Sequence, residues 1–255
     1  MLSLIKKGLE IYKESICSKK IAVTDYKIAV LVILIGDAEY KDLFSMCLES
    51  IKSYCILNGY EFISYDKKYY EDMPPAWSRI GYLKQIFNQR NDITHVLYLD
   101  ADVIITNNKF KIEQLIELLE NKSKNILFTI DSENNLNDGI GIYKNDRSTI
   151  KILDVVENYK EYKDHPQWEN AAFMRAVVDN HYCNARILRV CNPRVMNSYI
   201  KGRCRWQFGD FIIHFAGINK EDRAILIPAF YNFIKQVDKY VPSVNALHEY
   251  YGIGS

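Results

Sequence analysis

The unbroken apolar run from Ile28 to Ile35, rich in β-branched side chains and ended by Gly36-Asp37, is what most limits how this chain can fold. A strand that is apolar on both faces must be covered on both, the situation of a central strand in a parallel sheet. Helical spacing follows from about Tyr40 to Asn58 and is stopped by Gly59. Tyr60 to Tyr65 then alternates as a second strand before the polar turn Asp66-Lys67-Lys68. After Pro74-Pro75, Ser78 to Gln89 reads as a helix with Ile80, Leu83, Ile86 and Phe87 on one face, and a third strand leads from His95 to Leu99. Such a β-α-β-α-β order implies a parallel sheet whose ligands gather at the carboxyl ends of the strands. Asn125 to Ile130 and Gly139 to Tyr143 read as further strands, and Ile150 to Tyr159 and Ala171 to Asp179 as helices. The fold class is therefore α/β. At 255 residues and 48% hydrophobic the chain can bury a sizeable core, and no linker divides it, so residues 26–255 are expected to form one domain.

Where the third strand runs out, two carboxylates stand one residue apart, Asp100 and Asp102. Side chains alternate with period two along an extended chain, so both point to one side while the small Ala101 points away. Hard oxygen ligands of this kind suit Mg²⁺ or Mn²⁺, which keep positions open for phosphate oxygens and water. The other reading of such a pair is turn capping or a solvated loop. A second strand end, Ile212-Ile213-His214-Phe215-Ala216-Gly217-Ile218-Asn219-Lys220, offers chemistry to match. His214 can give a neutral imidazole nitrogen to a metal, Gly217 lets the backbone come close to a phosphate, and Lys220 can neutralise a leaving phosphate.

Composition excludes some classes and leaves others open. With 33 basic and 32 acidic residues the net charge is +1, so nothing in the global charge favours nucleic acid as a partner. The six cysteines, Cys17, Cys47, Cys55, Cys183, Cys191 and Cys204, form no CxxC pair and no zinc-ligand rhythm. They read as reduced thiols, which favours a cytoplasmic setting. No apolar stretch has the length of a membrane span, and the start lacks a signal-peptide pattern. Residues 1–25 read as an N-terminal amphipathic helix, with Ile5, Leu9, Tyr12 and Ile16 at helical spacing among lysines. Packing on the domain is one use for it, and peripheral membrane association through residues 1–20 is the other.

Leu97-Tyr98-Leu99-Asp100-Ala101-Asp102, Leu136-Asn137-Asp138-Gly139, Trp168-Glu169-Asn170-Ala171-Ala172-Phe173 and Gly209-Asp210-Phe211-Ile212-Ile213-His214-Phe215-Ala216-Gly217 together resemble successive motifs of the GT-A glycosyltransferases. The chain most resembles glycosyltransferase family 34, which holds fungal galactosyl- and mannosyltransferases and plant xyloglucan xylosyltransferases. The resemblance implies a Rossmann-like mixed sheet with a central parallel core flanked by helices. It also implies a retaining, metal-dependent transfer of a hexose, galactose or mannose, to a glycan acceptor. The donor would be a nucleotide sugar, with UDP favoured and GDP possible, and the cation Mn²⁺ or Mg²⁺. On this likeness Asp100, Asp102 and His214 are the metal ligands, and Asp100, Ala101 and Asp102 also border the donor. Ile35, Gly36, Asp37, Tyr65 and Asp66 lie where base and ribose belong, with turn chemistry as the other role for the polar ones. Arg79 stands near the donor, Asn137, Asp138 and Gly139 lie beneath its sugar, and Gly217 and Lys220 face its phosphates.

The family pattern usually has an acidic residue followed by Gln where this chain has Glu169-Asn170. Asn170 is a poor covalent nucleophile, and Glu169 can orient a donor hydroxyl or attack, so the resemblance favours front-face transfer with Glu169, Asn170 and Lys220 as the catalytic set. The alternatives are an enzyme similar to family 8, which shares the Asp-x-Asp and His-x-x-Gly-x-x-Lys patterns, and a catalytically silent module that binds glycan or nucleotide.

Overall fold

The computed structural model describes residues 26–131, 135–202 and 204–240. The expected N-terminal helix over 1–25, with Cys17, lies outside the described residues. Strand β1 (Ile28–Ile33) is followed by helices α1 (Ala38–Leu43) and α2 (Ser45–Asn58), then by β2 (Glu61–Tyr65), α3 (Ser78–Gln89), β3 (His95–Leu99), β4 (Val103–Ile105) and α4 (Ile112–Asn121). The second half carries β5 (Ile126–Ile130), β6 (Leu136–Lys144), α5 (Arg147–Glu157), α6 (Trp168–Asp179), α7 (His181–Arg186), β7 (Ile187–Val190), β8 (Ser198–Tyr199), β9 (Ile212–His214) and α8 (Lys220–Tyr240).

The main sheet has the strand order β2-β1-β3-β6-β5-β7. β1 pairs parallel with β2 and β3, β5 pairs parallel with β7, and β6 is antiparallel to both β3 and β5. The expected parallel core flanked by helices is thus present, in a mixed sheet. Alternation along each strand feeds two cores. Val30, Val32, Leu97 and Leu99 face one, with Ile51 of α2 and Leu115 of α4. Ala29, Leu31, Val96 and Tyr98 face the other, with Leu83 of α3, Leu153 of α5 and Phe173 of α6.

Where β3 ends, the chain crosses through Asp100-Ala101-Asp102 into a second, three-stranded sheet ordered β4-β9-β8. Val103 of β4 pairs with His214 of β9, and the Phe215 N–H donates to the Asp102 carbonyl at 3.0 Å. Backbone pairing alone therefore brings Asp102 to His214.

Three expectations about the elements need correction. The helix expected over Tyr40 to Asn58 is two helices. Phe44 leaves helical geometry (φ −99°, ψ 8°) to put its ring in the core, and the Ser45 hydroxyl donates to the Asp42 carbonyl at 2.7 Å. The first strand ends at Ile33 rather than Ile35, although the Leu34 N–H still reaches the Tyr65 carbonyl at 2.9 Å. Strand β6 begins at Leu136, before the expected Gly139, because Gly139 and Gly141 hide its apolar alternation. Its register against β5 shifts between Phe128 and Thr129, which pair with Gly141 and Asn137. That bulge re-aims Asn137 to Gly139 toward the end of β3, where the Asp100 N–H donates to the Gly139 carbonyl at 2.8 Å.

Among the described residues, Cys47, Cys55, Cys183, Cys191 and Cys204 are free thiols, and no helix is long and apolar enough to cross a membrane. Phe128 of β5 is fully buried, edge-on to Tyr143 and Phe173. Phe128→Ala should lower stability by about 3–5 kcal/mol in urea unfolding, because these rings and Gly141 cannot close the cavity.

Candidate metal and donor site

Asp100, Asp102 and His214 each offer one ligand atom, and these atoms all lie within 4.8 Å of one another. His214 Nε2 is 3.1 Å from Asp102 Oδ1 and 3.7 Å from Asp100 Oδ2. The imidazole is buried, whereas the Asp100 side chain is 37% exposed, so the cluster opens to solvent on the Asp100 side. Two carboxylate oxygens with one imidazole nitrogen form a hard, mixed donor set that fits Mn²⁺ or Mg²⁺. Gly139 closes the floor, where a Cβ would collide with Asp100 Oδ2 and stand 2.9 Å from His214 Cε1.

Each of the three is held from outside. The Tyr98 hydroxyl donates to Asp100 Oδ1 at 2.8 Å, two residues along the same strand face. Arg223, on the first turns of α8, donates to Asp102 Oδ2 at 2.8 Å and to the Phe215 carbonyl. Asn197 Oδ1 lies 2.9 Å from His214 Nδ1. The electrostatics separate the two aspartates. Partial loss of water around the strand end pushes Asp100 up, and the Asp102 charge adds to it against the pull of His214. Asp102 is mostly shielded from water, but His214 and Arg223 together hold it below the ordinary carboxylate range. Burial alone would lower the His214 imidazole, yet the charges of Asp102 and Asp100 outweigh it and raise it.

Beside this cluster lies a buried triplet of one guanidinium and two carboxyl groups. The Arg79 guanidinium donates to Asp138 Oδ2, to the Asp138 carbonyl and, at 2.6 Å, to Glu169 Oε1. Arg79, expected at the donor, is fully covered, so it acts on the site through these two carboxylates. Asn170 Oδ1 accepts from the Asp138 N–H at 3.0 Å, and Asn137 Oδ1 accepts from the Gly139 N–H at 3.2 Å and from Asn197 Nδ2 at 2.9 Å. Glu169 Oε2 and Arg79 Nε are buried without hydrogen-bond partners. One cation serves two buried carboxylates, and burial pushes Glu169 up to about 8 despite Arg79, with the Asp138 charge adding to the rise.

The other expected residues form a rim joined through α1. Ile35 is half-buried and Gly36 exposed; a Cβ on Gly36 would lie 2.5 Å from the Tyr40 ring. Asp37 caps α1 by accepting from the Tyr40 N–H at 2.8 Å. Tyr65 stacks on Tyr82 with centroids 3.6 Å apart, and Asp66 pairs with Lys41 at 3.1 Å. Lys220 opens α8 and pairs with Glu39 at 2.7 Å, both exposed. Gly217 takes a left-handed φ of 68° between β9 and α8, a turn that favours glycine. Ala101 is buried in the crossover. Sequence reasoning missed Tyr98, Asn197 and Arg223. Tyr98 carried a local signal, two residues before Asp100 on the same strand face, and so did Arg223, one turn beyond Lys220; Asn197 carried none.

Glu169 gives the metal-free protein a signed pH dependence. Between its ordinary value of 4.5 and about 8 the folded state holds a proton that the unfolded chain has released. Stability therefore falls as pH rises through that window. Urea midpoints of chelator-treated protein should decline from pH 5 to pH 8, and Glu169→Gln should flatten the slope.

No curated protein matches this sequence. Among solved structures, 16% sequence identity relates it to a glycosyltransferase involved in glycosylation of the major capsid of PBCV-1, with a TM-score of 0.65 over 79% of this chain and 98% of that one. The galactosyltransferase LgtC in complex with donor and acceptor sugar analogs is 13% identical, with a TM-score of 0.52 over 81% of this chain and 95% of LgtC. The apo bifunctional glycosyltransferase WbbM is 12% identical, with a TM-score of 0.51 over 85% of this chain and 52% of WbbM. At these identities the likeness is one of fold, and the fold is GT-A. The galactosyl transferase GMA12/MNN10 family matches over residues 26–122 and 116–224. With most of its length matched, and with the Asp-x-Asp and histidine of its motifs meeting in space, the chain belongs to the galactosyl transferase GMA12/MNN10 family of glycosyltransferases.

Proposed function

We propose that this glycosyltransferase moves a hexose, galactose or mannose, from a nucleoside diphosphate donor to a glycan acceptor with retention and with a divalent cation. A UDP-sugar is the favoured donor and a GDP-sugar the second. The observation that carries the reading is the convergence of Asp100, Asp102 and His214 around one small volume open to solvent. These three residues would hold Mn²⁺ or Mg²⁺, which when bound supplies positive charge to the leaving diphosphate.

The chain's own groups carry the retaining step. Asn137 and Asp138, aimed by the bulge in β6, bind hydroxyls of the donor sugar. Glu169 is buried with Oε1 held by Arg79, and a carboxyl group so covered and so engaged is poorly placed to attack. Asn170 already has its carboxamide oxygen on the Asp138 N–H, which also counts against covalent attack. Both observations support front-face transfer. In it the bond from the anomeric carbon to the phosphate oxygen breaks, the acceptor oxygen bonds the same face, and its proton passes to the departing phosphate. Lys220, freed from Glu39, neutralises that phosphate. Cytoplasmic action, with residues 1–20 touching a membrane surface, accompanies this reading as a proposal.

A panel of nucleotide sugars with Mn²⁺ should give release of UDP or GDP from one donor, abolished by a chelator. Asp102→Asn should abolish that release and keep the folded circular dichroism spectrum; unchanged turnover would remove the aspartate pair from the chemistry. Lys220→Ala should slow transfer at least tenfold with little change in melting temperature, and equal rates would take Lys220 out of the mechanism. Nucleotide binding without release from any donor and acceptor pair would instead identify a silent binding module.

A further inference from the structure

A relay of four groups ends on the metal-facing histidine, and one fixed donor sets its polarity. The Gly139 N–H can only donate, so the Asn137 side-chain atom 3.2 Å away must be its oxygen. That oxygen is 2.9 Å from the Asn197 side chain, which must therefore present its nitrogen there; the same nitrogen lies 3.2 Å from Thr129 Oγ1. The Asn197 oxygen is left facing His214 Nδ1 at 2.9 Å, so Nδ1 must carry a proton. Nε2 is then the nitrogen turned to Asp102 and Asp100. Asn197 and His214 are both buried, and the Asn197 amide uses its oxygen and both its protons in these three bonds.

We infer that Asn197 is a positioning residue for the cation site. It locks the His214 tautomer and ties the imidazole of the small sheet to the Asn137–Gly139 segment of the main sheet. The inference rests on the cation reading above and concerns a residue that touches neither cation nor donor. An apolar side chain of the same size at 197 would leave the buried Nδ1–H without an acceptor and the ring free to turn or to change tautomer. Partners of this kind on metal-bound histidines are worth about 10–100-fold in metal affinity.

The test titrates Mn²⁺ into chelator-treated protein and follows the free-ion paramagnetic resonance signal. Asn197→Leu should weaken binding at least tenfold. Asn197→Asp keeps an oxygen on Nδ1 and, when protonated, a donor toward Asn137, so it should bind within about threefold of wild type, a rescue that a merely structural role does not predict. A folded Asn197→Leu variant with wild-type affinity, or an Asn197→Asp variant as weak as Asn197→Leu, overturns the inference. Should Asn197→Leu fail to fold, Asn137→Ala decides: it removes the anchor that orients the amide, weakens Mn²⁺ binding at least threefold if the relay operates, and overturns the inference if affinity is unchanged. A wild-type protein that takes up no Mn²⁺ overturns the cation reading and this inference with it, whereas the preceding failures leave that reading standing.

Discussion

A guanidinium taken wholly out of water needs its charge met inside the protein, and Arg79 is met by carboxylates from two distant parts of the chain. It rises from α3, Asp138 comes from the bulge in β6, and Glu169 from the first turn of α6. The face of Arg79 also rests on the Tyr98 ring, 4.6 Å from its centroid, and Tyr98 holds Asp100. The covered helix face, the bulged strand and the Asp100 end of β3 are thus fixed to one another by a single side chain. Removing the guanidinium leaves buried carboxyl charge unmatched, a loss of about 3–5 kcal/mol. The arrangement fixes where the Asn137–Gly139 segment lies against the end of β3.

The same accounting of charge explains why the two aspartates differ although they are neighbours. Asp102 has Arg223 on one oxygen and His214 on the other, so its charge is matched within the protein. Among the described residues, the Tyr98 hydroxyl is the close side-chain donor to Asp100, whose side chain is partly open to solvent. The cluster is therefore firm on the Asp102 side and open on the Asp100 side.

Much of this was legible in the sequence, and for identifiable reasons. Asp100 and Asp102 lie on one strand end, so period-two geometry predicts their shared direction, and the β-branched run of β1 signals a doubly covered sheet. His214 was legible because its strand is apolar and its spacing to Gly217 and Lys220 is chemically interpretable. Asn197 was not, because nothing within reach of it in sequence shows that Asn137, sixty residues away, will stand at its amide. The start of β6 was obscured by Gly139 and Gly141, and the break at Phe44 by an apolar pattern that reads through it. Asp37 caps α1 and Asp66 forms a surface ion pair with Lys41, contacts that turn chemistry at a strand end already allows.

The crossover Asp100-Ala101-Asp102 spans a seam between two sheets that share no strand. The small sheet is held by few rungs: its registered pairs are three between β4 and β9 and two between β8 and β9. Its opening is a local unfolding event with its own free energy, separate from that of the molecule as a whole. A ligand gripped by Asp100 on one side of the seam and by His214 on the other binds only the closed form. Each factor of ten in its concentration above the dissociation constant then protects the amides of β8 and β9 from solvent exchange by another factor of ten.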